Sequence, residues 1–310
     1  MYRQLQYTFL FFIWYPFRTI LRWFTTKRGS YNLLFKVGDF LGNLLYLCFP
    51  TGRRLMKEQL IACRLYESGV VRKGFQHMMK TEMEGMVFED LNPNLIKKIT
   101  VFDGLHHLDQ CLKGGRGAIL TLFHLGWHMH TIPALGYTGY RIKQLADEYP
   151  VDLDRDFGYF RRMVIKKRLK NAANLPAEFL HTGNYIRPII RALEQNDILI
   201  CAIDGRDGRN LERYIFLGRK ILISPVIFSL AIKTRSPVLP MVTYRGKDGK
   251  HRIIVHPPIK HDSPEKMINR CLAVYEYYIT KQPHQYAHYL LIHALGLGRK
   301  EKGGSALFES

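Results

Sequence analysis

The chain has 310 residues, 47 % of them hydrophobic, with 25 glycines and 14 prolines, a balance that excludes wholesale disorder and allows one sizeable core with a small appendage. A formal net charge of +20 favours polyanionic partners: nucleic acid, an anionic membrane surface, phosphorylated ligands or an acidic carrier protein. Five scattered cysteines (Cys48, Cys63, Cys111, Cys201, Cys271) without a CxxC pair argue for reduced thiols and against a structural zinc site.

Residues 5–24, LQYTFLFFIWYPFRTILRWF, hold a dense apolar stretch interrupted by Pro16 and followed by Arg18 and Arg22. A bilayer span needs about 20 apolar residues, so this one reads as a short tilted span or an interfacial helix. Trp14, Tyr15 and Trp23 beside arginines suit the interfacial zone, and no small-residue cleavage site follows. A second apolar segment, Leu41 to Phe49, lies next to Arg53, Arg54 and Lys57; it joins the same membrane-facing patch or belongs to the core. From Gly52 to about Asn92 apolar residues recur at three and four, the helical rhythm.

From residue 99 short apolar runs alternate with amphipathic ones. Gly117–Phe123, Arg141–Ala146, Ala177–Leu180, Ile198–Ile203, Pro237–Tyr244 and Arg252–His256 read as strands. Trp127–Leu135, Phe157–Ala172, Tyr185–Gln195, Pro225–Lys233 and Pro264–Lys281 read as helices, and Tyr214–Ile223, with Gly218 in its middle, as an antiparallel pair. Strands alternating with helices predict an α/β fold with a mostly parallel sheet. After Gly296 the tail is polar and glycine-rich and is expected to fray.

In such sheets ligands collect beyond the carboxyl ends of the strands. His124 sits at one such end, and His128 follows at the i+4 spacing that places both imidazoles on one face of a helix starting near Leu125. Asp204 occupies the equivalent position after ILICAI, leading into Gly205-Arg206-Asp207-Gly208, and Arg245 ends PVLPMVTY. The basic run Arg161-Arg162 with Lys166-Lys167-Arg168 is either a solvated helix face or an anion-binding one. No recognition motif accompanies the charge, so nucleic acid is not the expected partner.

The segments LTLFHLGWHMH, LICAIDGRDG and FLGRKILISPVIFSLAIKTRSPVLPMVTYRGKDGKHRIIVHPPI resemble, in order and spacing, the bacterial lipid A biosynthesis lauroyl/myristoyl acyltransferases of the lysophospholipid acyltransferase superfamily. The resemblance covers most of residues 50–290. With the patterns above it gives a membrane anchor or interfacial helix over 1–28, an acyltransferase-like α/β domain over 29–295 and a flexible tail over 296–310. It also implies an O-acyltransferase at the cytoplasmic face of a bacterial inner membrane. The enzyme would move a fatty acyl chain from acyl carrier protein or coenzyme A to a hydroxyl of a membrane lipid or glycolipid, with the thioester as co-substrate and no further cofactor.

The family's motif is His-x-x-x-x-Asp/Glu, in which the histidine deprotonates the acceptor hydroxyl and the acid orients the histidine. His124 matches the base, but position 129 is Met and the nearest match to the acid falls on His128. Asp204 matches the family's later Asp, Arg245 the Arg closing the next strand, and Arg161 or Arg162 an Arg in the helix after the second strand. Arg206 and Gly218 complete the implied substrate-binding set, and QPHQYAHYLLIH resembles the family's Trp-rich C-terminal signature in degraded form. Three explanations of the absent acid stay open: His128 as a neutral hydrogen-bond acceptor, a carboxylate from Asp204, Asp147 or Glu148, or a lipid-binding scaffold without catalysis. A metal-dependent hydrolase built on His124, His128 and Asp204 is the remaining alternative.

Overall fold

The computed structural model describes residues 31–146, 175–181, 186–205, 210–295 and 307–308. The expected anchor (1–28) and Asp147, Glu148, Arg161, Arg162 and Arg206 lie outside them. Helices α1 (Tyr31–Cys48), α2 (Pro50–Ala62) and α3 (Val70–Met86) come first, and α4 (Pro93–Ile99) then leads into strand β1 (Thr100–Asp103). Next are α5 (Leu105–Leu112), β2 (Ala118–Leu122), α6 (Thr131–Gly136), β3 (Ile142–Ala146), β4 (Glu178–His181), α7 (Arg187–Glu194) and β5 (Ile198–Ala202). The hairpin β6 (Glu212–Phe216) and β7 (Arg219–Ile223), α8 (Val226–Thr234), β8 (Val238–Arg245), β9 (His251–Val255), α9 (Pro264–Lys281) and α10 (Pro283–Ala294) follow.

Strand β2 is buried at every position, as a central parallel strand covered on both faces must be. Parallel neighbours β5 and β8 flank it, and the seven-stranded order is β1-β9-β8-β2-β5-β3-β4. Among the described residues only β8 and β9 pair antiparallel within this sheet, so the expected mostly parallel architecture is present. Alternation along β2 divides the core. Ile119 and Phe123 pack with Val242, Phe228 and Tyr275 on one face, and Leu120 and Leu122 with Ile200, Met241 and Ile253 on the other. Thr121, the polar residue of β2, faces Tyr275 with its hydroxyl 2.8 Å from the phenol.

Several elements depart from the sequence expectation. Edge strand β1 and helices α5 and α10 were not foreseen. A helix from Trp127 is expected, yet the chain first turns at Gly126 (φ 62°), and only a 3-10 turn over His128–His130 precedes α6. A Cβ at position 126 would stand 2.6 Å from the Thr243 carbonyl oxygen, so close passage of β8 dictates glycine and a turn there. The tail expected to fray brings Leu307 and Phe308 into the core: both are buried, Phe308 pairs with Ile221, and the Arg219 guanidinium lies 4.4 Å over its ring.

Candidate active site

The register of the central sheet builds the site. Leu122 stands opposite Ala202 in the parallel β2–β5 pair, and the ladder continues with the Ile203 amide donating to the Leu122 carbonyl at 3.0 Å. Two residues further along each chain, His124 and Asp204 therefore meet beyond the strand ends. His124 Nδ1 is 2.7 Å from Asp204 Oδ1, and the His124 amide donates to Oδ2 at 3.0 Å. One carboxylate thus holds both the ring and the backbone of the histidine.

Asp204 is fully buried and needs such donors. Helix α10 supplies two more: Tyr286 donates its hydroxyl to Oδ2 at 3.3 Å, and Tyr289 donates to the Asp204 carbonyl at 3.0 Å. Burial first, and then the Asp204 charge, push the Tyr286 phenol well above its ordinary value, so it stays a donor. The Tyr289 ring also stacks on the His124 imidazole, with centroids 4.3 Å apart and planes 5° from parallel. Nδ1 faces Asp204, and the side chain is 23 % exposed.

His128 reaches the same place, its ring centroid 4.4 Å from that of His124 in an edge-on arrangement. The turn at Gly126, rather than one helix face, brings them together. Burial, followed by the charges of His124 and His288, pulls His128 well below its ordinary pKa, so it is a neutral neighbour. His130 belongs elsewhere: its Nε2 is 2.7 Å from the Thr100 hydroxyl, and Trp127 stacks on it.

The remaining expected residues have other surroundings. Arg245 is only 8 % exposed, and its guanidinium is taken up by the Glu84 carboxylate, by His77 Nδ1 at 2.9 Å and by the Phe35 ring 4.9 Å beneath it. That departs from the expectation of a cation facing substrate: the buried Glu84 charge, 161 residues away in the chain, requires this partner. Gly218 follows Leu217 in the β6–β7 turn, and both have positive φ (72° and 51°), the primed hairpin geometry that favours glycine. Phe216 of that hairpin packs 4.9 Å from Phe123, immediately before His124. Gln285 was missed by the sequence reading. Its side-chain amide pairs with the Arg245 backbone in both directions at 2.8 Å, and its carbonyl accepts from the Gly126 amide, tying α10 to the ends of β2 and β8.

Among the described residues no three His, Cys, Asp or Glu side chains are grouped to hold a metal ion. Comparison with protein families matches residues 41–294 to the bacterial lipid A biosynthesis acyltransferases. The chain belongs to this family. It is therefore an acyltransferase, and the sequence resemblance is upheld over nearly the whole α/β domain. Comparison with curated proteins finds no match.

In this lipid A biosynthesis acyltransferase the signal for the tyrosines lies in the degraded C-terminal signature itself. Tyr286, Tyr289 and His293 recur at three and four residues in QYAHYLLIH, one face of a helix. That pattern gives the helix but not its partner, because Asp204 is 82 residues from Tyr286.

Proposed function

We propose that the chain transfers a fatty acyl group from an acyl carrier protein or coenzyme A thioester to a hydroxyl of a lipid or glycolipid, such as a lipid A precursor, at the cytoplasmic face of a bacterial inner membrane. The observation that carries this reading is the 2.7 Å contact between His124 Nδ1 and the buried Asp204 carboxylate at the carboxyl ends of two paired central strands. Asp204 serves in place of the motif acid. It fixes the tautomer with the proton on Nδ1 and the lone pair on Nε2, and stabilises the imidazolium that forms next.

In the reaction His124 Nε2 takes the proton of the acceptor hydroxyl as its oxygen attacks the thioester carbonyl carbon. The tetrahedral intermediate collapses with cleavage of the carbon–sulfur bond, and the imidazolium returns the proton to the departing thiolate. An ester and a thiol result, with no net proton taken up or released. The basic charge of the chain suits an acidic carrier, an anionic leaflet and a phosphorylated acceptor alike.

The test is acyl transfer in detergent, with labelled acyl carrier protein or acyl coenzyme A and a bacterial lipid extract. Product is expected from the unaltered chain, reduced about 10²–10⁴-fold in His124→Ala. Equal rates from the two folded proteins would remove His124 from the reaction, and no product with either donor would sink the reading.

A further inference from the structure

Helix α1 has two apolar faces, and the fold uses one. Tyr31, Leu34, Gly38 and Gly42 are its buried residues. The glycines let the α3 backbone pass: a Cβ at Gly42 would stand 2.4 Å from Gln76 Cα, and one at Gly38 2.9 Å from Lys80 Cα. Asp39 and Asn43 lie on the flank of that seam. Asn43 Oδ1 accepts from Arg72 (2.7 Å) and Gln76 (3.0 Å), and Asp39 pairs with Lys80 at 2.7 Å.

Phe40, Leu44 and Leu47 point the other way. At about 100° per residue they fall within about 40° of one direction, roughly opposite Gly42. They are 68 %, 48 % and 66 % exposed, with the exposed Lys36 one turn from Phe40 on the same side. The solvent face of a surface helix is ordinarily polar, not a stripe of phenylalanine and leucines. At Phe49 the chain bends, and α2 brings Arg53, Arg54 and Lys57. Arg53 lies 5.1 Å over the Tyr46 ring and Lys57 5.2 Å over Tyr66, amphipathic pairings suited to the headgroup zone. Among the described residues no single helix is long and apolar enough to cross a membrane, and α1 and α2 meet at 98°. That elbow suits a pair lying in the interface, with apolar side chains below the headgroups and cations among them.

We propose that the outward face of α1, with Phe40, Leu44 and Leu47 as its apolar contacts and the α2 cations at its edge, docks the enzyme on an anionic bilayer surface. The inference rests on the membrane-lipid reading above and adds which surface meets the bilayer. Positive charge beside an exposed apolar stripe selects an anionic lipid surface over a second, equally basic copy of the chain.

The test uses the full chain with Cys48→Ser, Cys111→Ser and Cys201→Ala, spin-labelled at Leu44→Cys or, as a control, at the exposed Glu194→Cys. On phosphatidylglycerol-containing vesicles the label at 44 is expected to lose accessibility to a water-soluble nickel chelate and gain it to oxygen, while the label at 194 does not change. A vesicle-bound chain whose label at 44 stays as accessible to nickel as that at 194 would overturn the proposal. So would shielding that develops without vesicles as protein concentration rises, which assigns the face to a second copy. Phe40→Ser/Leu44→Ser/Leu47→Ser should lower vesicle partitioning at least about tenfold and leave turnover of detergent-dispersed acceptor unchanged. Arg53→Gln/Arg54→Gln/Lys57→Gln should weaken binding to phosphatidylglycerol vesicles and not to phosphatidylcholine ones, and equal loss on both would overturn the anionic assignment. Failure of the transferase reading shows separately, as absence of turnover by the unaltered chain in detergent whatever the label reports.

Discussion

Among the described residues two buried carboxylates, Asp204 and Glu84, each stand against a histidine, and they differ in what else surrounds them. Asp204 meets His124 at 2.7 Å, with the Tyr286 hydroxyl and a backbone amide as the other donors to its carboxylate. Glu84 meets His251 at 2.8 Å, but Arg245 shares the same carboxylate, and both Glu84 and His251 are sealed from water. Neutral donors leave the charge of Asp204 available to an imidazolium forming on His124. The guanidinium has already neutralised Glu84, and His251 is fully buried, so that pair has no route to a substrate. On the proposed mechanism, similar distances serve chemistry in one place and architecture in the other, decided by the third partner and by access.

The comparison can be broken most directly at its two carboxylates. Asp204→Asn replaces the acceptor of the Nδ1 proton with a group that tolerates the wrong tautomer, and acyl transfer should fall by up to about 10⁴-fold, the size of that effect in a serine-protease triad. Glu84→Gln, at the other pair, should lower the unfolding midpoint while kcat per folded molecule stays within a few-fold. Equal loss of turnover in the two folded variants would erase the distinction.

Arg245→Ala sharpens the structural side. Removing the guanidinium leaves Glu84 buried without its strongest counter-charge, which should cost about 3–5 kcal/mol in urea unfolding. KM for the acyl donor should not move in the folded fraction. A raised KM without loss of stability would restore Arg245 to substrate binding.

Much of the His124–Asp204 pairing was legible because it depends on local pattern. Apolar runs ending at His124 and Asp204 mark strand ends by themselves, and parallel pairing of β2 with β5 then brings the two residues level. Asp204 could be nominated as the partner of His124 on that ground alone. The structural side was not legible, because Glu84 and Arg245 are 161 residues apart and neither carries a sign of the other. Periodicity reports which face of an element is apolar, not which distant element covers it. Gly126 illustrates the same limit: the i+4 spacing of His124 and His128 suggested a helix, but the approach of Thr243 forces a turn. Leu307 and Phe308 were obscured by the glycines and charges before them, although their own composition is that of core residues.

Acid should expose the cost of the buried histidines. His288 is pulled down to about 4 by burial and then by the charge of His124, and His77 and His128 are pulled well below their ordinary values, burial again being the largest cause. The unfolded chain therefore takes up protons near pH 6.5 that the folded chain refuses. Stability from these groups is present above that pH and falls as the pH drops toward about 4, by about 1.4 kcal/mol per pH unit for each group. Glu84 acts in the same direction at lower pH. Burial pushes its carboxyl up, but Arg245 and His251 outweigh burial and hold it below the ordinary value, so its contribution is lost as pH falls through the carboxylate range. Urea midpoints measured from pH 7 to 4 should decline steadily, and a flat profile over that range would contradict the burial of these imidazoles.

The smallest expected effect separates two roles of Tyr289. Its hydroxyl donates to the Asp204 carbonyl, and its ring lies parallel to the His124 imidazole. Tyr289→Phe removes the first and keeps the second, costing about 0.5–1.5 kcal/mol of stability with turnover reduced by about tenfold or less. Tyr289→Leu removes both, so the imidazole loses the plate that holds its plane and Nε2 can swing away from the direction of the acceptor. A fall in kcat greater for Leu than for Phe, at matched KM, would identify the stack as the feature that positions the base. Equal kcat in the two variants would leave Asp204 alone to orient His124, and would place Tyr289 with the structural pair rather than the chemical one.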